Sequence, residues 1–136
     1  MIAPDTSVVI AALAPWHVAH QRAREALDDN RVGLVAHVGY ETTSALSRMP
    51  EGHRIAPDVV VEALERRFAD QWLYLDGQTL REALRAAVAV GVRGGALYDA
   101  LIAATAAGNG ARLLTADARA RITYEAVGVD TELLTV

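Results

Sequence analysis

Cysteine and lysine are both missing from this chain, and phenylalanine occurs once. Without cysteine there can be no disulfide framework, no thiolate nucleophile and no cysteine-ligated zinc. Without lysine no site that needs a catalytic lysine can exist, so any phosphate contact must come from arginine, helix termini or a metal ion. All thirteen basic residues are arginine, as a GC-rich coding bias would produce. Aromatics make up only 5% of a chain that is 52% apolar, so alanine, valine and leucine must fill the core. No apolar run approaches the length that spans a bilayer, and no basic segment precedes a hydrophobic stretch at the amino terminus. The expectation is a cytoplasmic protein without membrane association. The formal net charge of −4 argues against a general nucleic-acid binder, which is usually basic. At 136 residues, the chain is expected to form one domain over 1–136.

Apolar segments alternate between strand and helix character. Met1–Pro4 reads as a strand running into the helix-start signal Asp5-Thr6-Ser7, and Val8–Leu13 continues as a buried helix stopped by Pro15. Trp16–Leu27 has helical spacing, Val32–Val35 reads as a second strand, and His37–Met49 carries a helical apolar stripe. Pro57 suits the first turn of a helix running to about Asp70, followed by a strand over Trp72–Leu75. A helix over Thr79–Val90 ends at Gly91. The next helix, from Ala96, is apolar nearly all round and closes at Gly108-Asn109-Gly110. Arg112–Thr115, Asp117–Tyr124 and Thr131–Val136 complete the alternation as strand, helix and strand. Such alternation predicts an α/β fold, a parallel sheet with helices on both faces. Pro4 removes a ladder donor and is tolerable only as the final residue of its strand.

Four acids stand at or just after apolar segments: Asp5, Glu41, Asp99 and Asp117. Ligands of open parallel sheets collect beyond the carboxyl ends of the strands. If the first and fourth strands are neighbours, all four carboxylates can converge there. Each has a plain structural explanation when taken singly. Asp5 and Asp117 are good helix N-caps, each worth about 1 kcal/mol, and Glu41 alone is a solvated helix charge. Asp99 differs, because it interrupts an apolar run where an unpaired charge is expensive. A set of hard oxygen donors is costly to assemble unless a divalent cation neutralises it. The pattern therefore points to a Mg²⁺- or Mn²⁺-dependent site that cleaves phosphodiesters.

The segments that carry these acids resemble PIN-domain ribonucleases, and within them the VapC toxins of bacterial toxin–antitoxin pairs. The resembling residues are Asp5-Thr6-Ser7-Val8-Val9-Ile10, Glu41-Thr42-Thr43-Ser44-Ala45-Leu46, Tyr98-Asp99-Ala100-Leu101-Ile102-Ala103 and Leu113-Leu114-Thr115-Ala116-Asp117, with Gly128–Leu134 resembling the last strand. The four motifs occur in family order and cover essentially the whole chain. The resemblance implies a PIN-like three-layer α/β/α domain with four to five parallel strands ordered 3-2-1-4-5. It also implies that Asp5, Glu41, Asp99 and Asp117 are both metal ligands and catalytic acids for Mg²⁺, with Mn²⁺ as the alternative. The implied activity is RNA hydrolysis that inhibits translation and growth. The implied partners are RNA, a VapB-type antitoxin and a second copy of the chain. Thr6, Ser7 and Thr115 are candidates for hydroxyls that orient these acids or water. Pro4 departs from the family pattern and leaves the aim of Asp5 less determined.

Arg48, Arg93 and Arg112 lie near motif segments and are candidates to line an RNA path. Val8–Leu13 and Val38–Met49 could form a groove for the antitoxin, although core packing explains them equally well. His17 and His20 read as exposed helix histidines, while His37 and His53 carry no signal. Trp16 and Trp72 read as core or partner-facing. Haloacid dehalogenase-type phosphoryl transfer needs a second aspartate where Ser7 stands, and no phosphate-binding loop with Lys-Ser/Thr occurs. The rival readings are a catalytically inert PIN-like binding module and a PIN nuclease of RNA processing without an antitoxin.

Overall fold

The structure, a computed structural model, describes residues 1–69 and 71–135. Strand β1 (Ile2–Pro4) is buried along its whole length and pairs in parallel with β4 (Arg112–Thr115), Ala3 opposite Leu113 and Pro4 opposite Leu114. On its far side β4 pairs in parallel with β5 (Thr131–Leu133). A second parallel pair joins β2 (Leu34–Val35) to β3 (Trp72–Leu73). The two pairs meet through a single bridge from Ile2 to Val32. There the Ile2 amide donates to Arg31 O at 2.8 Å and the Gly33 amide donates to Ile2 O at 2.9 Å. The order is thus β3-β2-β1-β4-β5, as expected, with a short seam between β2 and β1.

Pro4 ends β1, as its missing donor requires. The ladder to β4 resumes one residue later, where the Asp5 amide donates to Leu114 O at 2.8 Å. The proline therefore leaves no gap at the sheet end.

Helices α1 (Thr6–Leu13), α2 (His20–Asp28), α3 (Ala36–Ser47), α4 (Pro57–Arg67), α5 (Gly77–Ala89), α6 (Ala96–Gly108) and α7 (Ala118–Ala126) pack around the sheet in a three-layer α/β/α arrangement. Val8, Val9, Leu34, Val35, Val38, Leu46, Ile102, Leu113 and Tyr124 are its largest buried members beside Leu64 and Val60. Small aliphatic residues do fill the core, because only four aromatic tyrosines, two tryptophans and one phenylalanine are available. No helix among the described residues is long and apolar enough to cross a membrane.

Three expectations need correction. Helical spacing begins at Trp16 in sequence, but α2 starts only at His20, because residues after Pro15 form a turn instead. His17 and His20 consequently do not share an exposed helix face. The Ala19 amide donates to His17 Nδ1 at 3.0 Å, and His20 Nδ1 lies 2.8 Å from Ala11 O, so both rings brace the turn between α1 and α2. Strand β3 covers Trp72–Leu73 and not Trp72–Leu75. Two bounds shift as well: the helix expected to run to about Asp70 ends at Arg67 and the strand expected over Thr131–Val136 ends at Leu133, while Asp70 and Val136 themselves lie outside the described residues.

Helix α3 is seated by a glycine. A Cβ built on Gly39 would lie 2.9 Å from the Trp72 ring, so the indole rests directly on the helix backbone. This close approach fixes the position of Glu41, half a turn further on. Gly39→Ala would gain about 1 kcal/mol of helix propensity and lose roughly 1–3 kcal/mol to overpacking. The expected outcome is a net loss of about 1 kcal/mol in thermal or urea unfolding. A variant as stable as the parent would show that Trp72 simply swings aside.

Candidate functional site

Adjacency of β1 and β4 places the residues after both strands at one edge of the sheet. Asp5 follows β1 and caps α1; Asp117 follows β4 and caps α7, its Oδ1 accepting the Arg119 amide at 2.9 Å. Glu41 projects from α3 and Asp99 from the first turn of α6. All four line one cavity of about 640 Å³, together with Thr6, Ser7, Tyr40, Arg48 and Tyr124. The capping and clustering explanations thus hold at once: Asp5 and Asp117 cap their helices while facing the same space. Three of the four acids sit at helix N-termini, where the peptide dipoles favour negative charge.

Asp5 is the buried floor of the site, only 2% exposed. Its Oδ1 accepts the Ser7 hydroxyl at 2.5 Å and the Val8 amide at 3.3 Å, and its Oδ2 accepts the Tyr124 hydroxyl at 2.7 Å. Ser7 Oγ in turn accepts the Ala116 amide at 2.9 Å and lies 3.5 Å from Thr115 Oγ1. Thr115 Oγ1 accepts the Asp117 amide at 3.0 Å. On the opposite wall, the Thr6 hydroxyl donates to Glu41 Oε1 at 2.6 Å, while His37 Nε2 lies 3.5 Å from Glu41 Oε2. The three hydroxyls named from sequence therefore brace the acids and the loop between them.

The electrostatics follow from this crowding. Burial pushes the Asp5 carboxyl up, opposed by hydrogen bonds from Ser7, Thr115, Tyr124 and Val8. Asp99 is pushed from 3.8 to about 6, first by burial and then by the charges of Glu41, Asp5 and Asp117, with His37 acting the other way. The Tyr124 hydroxyl is held far above the tyrosine range by burial and by Asp5. Among the described residues Arg48 is the one arginine lining the cavity, so negative charge dominates. An all-oxygen, mutually repelling donor set suits a hard divalent cation. Among the described residues, no three Asp, Glu or His groups are gathered tightly enough to enclose an ion by themselves. A hard divalent cation that keeps several waters need take only one or two carboxylates directly. The residues fit such an ion in this partly hydrated form.

Not every candidate reaches the site. Arg112 begins β4, at the opposite end from Asp117, and pairs with Glu132 at 3.0 Å, so it cannot line a path to these acids. Arg93 is exposed and lies outside the cavity lining. Val8, Val9, Val38 and Leu46 are core residues, so the apolar segments proposed as a partner groove largely face inward. Sequence reading missed three contributors. His37 had a usable signal, its four-residue spacing from Glu41 on one helix face. Tyr40 precedes Glu41 directly. Tyr124 had none, since 119 positions separate it from Asp5.

Comparison with known proteins gives a consistent picture. A family model described as PIN domain matches residues 2–126. The chain is 46% identical to ribonuclease VapC40 of Mycobacterium tuberculosis over 135 residues, which is 99% of this chain and the whole of that protein. It is 40% identical to ribonuclease VapC27 of the same organism, over 94% of this chain and 93% of the relative. Among solved structures, Mycobacterium tuberculosis VapC20, described as a sarcin-ricin loop cleaving toxin, superposes with a TM-score of 0.74. It shares 20% identity and the match covers 98% of this chain and 99% of that one, a likeness of fold.

The raised Asp99 carboxyl carries a stability consequence. A carboxyl whose folded-state pKa lies above its unfolded value penalises the fold only when ionised. The penalty is absent below about pH 3.8 and complete above about pH 6. In metal-free protein at pH 7, Asp99→Asn should therefore stabilise the fold, by about 1 kcal/mol once solvent screening of this partly exposed group is allowed for. The gain should vanish near pH 3.5, where the parent carboxyl is itself protonated. Paired urea melts at the two pH values test this, and equal stabilities at pH 7 would rule out the repulsion.

Proposed function

Because the chain belongs to the VapC ribonucleases of the PIN-domain family, we propose that it is a Mg²⁺- or Mn²⁺-dependent endoribonuclease, the toxin of a toxin–antitoxin pair. The observation that carries this reading is that four carboxylates from four separate segments line one cavity at the sheet edge. The domain is taken as the whole of 1–136, working in the cytoplasm as a homodimer whose activity a VapB-type antitoxin restrains.

Asp5, Glu41, Asp99 and Asp117 are the residues that would hold the ion. When bound, the ion would supply positive charge against both the carboxylates and the RNA phosphate, and would make a water acidic enough to serve as nucleophile near neutral pH. The protein's own share is positioning. Ser7 and Tyr124 fix both oxygens of Asp5, and Thr6 fixes Glu41, so the acids keep their aim when charge enters the cavity. Asp99, the acid pushed to about 6, holds a proton at its carboxyl below that pH and gives it up as the site is filled. Arg48 is the cavity's own cation for a phosphate oxygen.

Cleavage of RNA by the purified chain should require Mg²⁺ or Mn²⁺ and stop with EDTA. Asp99→Asn should lower the rate by more than about 100-fold. Full metal-dependent activity in that variant would remove Asp99 from the machinery. Calorimetric Mn²⁺ affinity should rise about tenfold between pH 5 and pH 7 and then level off, because a proton at Asp99 competes with the ion. A pH-independent affinity over that range would show that Asp99 is not displaced by metal.

A further inference from the structure

Two of the site acids are each preceded by an exposed tyrosine. Tyr40, before Glu41, is 77% exposed and lines the acidic cavity; Tyr98, before Asp99, is 55% exposed. The Tyr98 ring lies parallel to the His37 ring, 5° between planes and 5.3 Å between centroids, and His37 Nε2 lies 3.5 Å from Glu41 Oε2. A neighbouring concavity of about 270 Å³, lined by His37, Tyr40, Leu73 and Tyr74, shares Tyr40 with the acidic cavity. Aromatic surface thus flanks the carboxylates in a chain that has only 5% aromatic residues.

The chain's own charge supplies little RNA affinity at this cavity beyond Arg48 and the proposed ion. Nucleic-acid binding usually draws on lysine and arginine against phosphate, yet this protein carries a net charge of −4 and its cavity holds four acids against one arginine. Stacking of bases on aromatic rings is indifferent to that charge and is worth roughly 5- to 150-fold in affinity per base. Single-stranded and looped RNA offers unstacked bases for such contacts. The His37 ring behind Tyr98 limits that side chain's freedom beforehand, which reduces the entropy lost on binding. We propose that Tyr40 and Tyr98, the latter backed by His37, form a base-stacking platform. It would hold unstacked nucleotides beside the phosphate presented to the acids. The inference rests on the ribonuclease reading for its ligand class.

The test is fluorescence anisotropy of the full-length protein with a short labelled single-stranded RNA of mixed sequence, and with an oligonucleotide of the same length lacking its bases. It is run in the Asp99→Asn background so that RNA survives. Tyr40→Ala and Tyr98→Ala should each weaken binding of the intact RNA about tenfold and leave the abasic strand unaffected. Tyr→Phe at either position should restore binding to within about twofold, since the ring is kept. Mn²⁺ affinity measured by calorimetry on the same tyrosine substitutions in the parent chain should not change. Both side chains are exposed, so melting temperatures serve only to confirm intact fold. Alanine variants that bind intact RNA as before, or that lose both strands equally, overturn the proposal. So does an outcome in which they alter only the oligomeric state or antitoxin binding, because the surface then serves a protein partner. Binding needs no cleavage. A parent chain that never cuts RNA, but prefers intact to abasic strands through these tyrosines, therefore refutes the nuclease reading and leaves the platform in place.

Discussion

Parallel pairing of β1 with β4 brings Asp5, near the start of the chain, beside Thr115 and Asp117, more than a hundred positions later. The hydrogen bond from the Asp5 amide to Leu114 O continues that pairing past Pro4, and the Ala116 amide to Ser7 Oγ extends it through a side chain. Shifting the register by one residue would turn every side chain of the shifted strand to the opposite face of the sheet. The buried residues Ala3, Leu113 and Leu114 resist such a shift. The site is therefore anchored by the same apolar burial that holds the sheet together. Glu41 and Asp99 then join it through α3 and α6, which pack on that frame.

Assembling acids in this way opposes folding, and the structure distributes the opposition. Asp5, the deepest, has donors on both oxygens. Glu41 has a hydroxyl and a neighbouring imidazole. Asp117 remains exposed and has a backbone amide. Asp99 has the fewest compensations, and burial and then its three neighbours push its carboxyl up to about 6. A site whose least-satisfied acid faces three others is one that a cation would relieve, which is why the proposed ion follows from electrostatics as well as from family. The aromatic rings beside the acids add surface that binds without charge, and so without competing with that ion.

Some errors of sequence reading share a cause. Trp16–Val18 continues the helical spacing of α2, but spacing cannot register that His20 is recruited by the Ala11 carbonyl of α1. Arg112 stands five residues from Asp117, yet a strand separates them end to end, and closeness in sequence became opposition in space. His37 lies one helical turn from Glu41, a local relation, but its stacking on Tyr98 comes from a remote helix that spacing cannot register. Local periodicity determines what forms, while contacts between elements determine where each form begins, ends and points.

The order of strands and helices, the alanine- and valine-rich core, the end of β1 at Pro4 and the placing of four acids at or just after apolar segments were legible in the residues, because hydrophobic period and cap chemistry are local properties. Only the folded chain decided that those acids share a cavity, that Tyr124 closes on Asp5 and that Arg112 is turned away. Those outcomes depend on which strands become neighbours, a choice made by summed burial across the whole molecule and by no single segment.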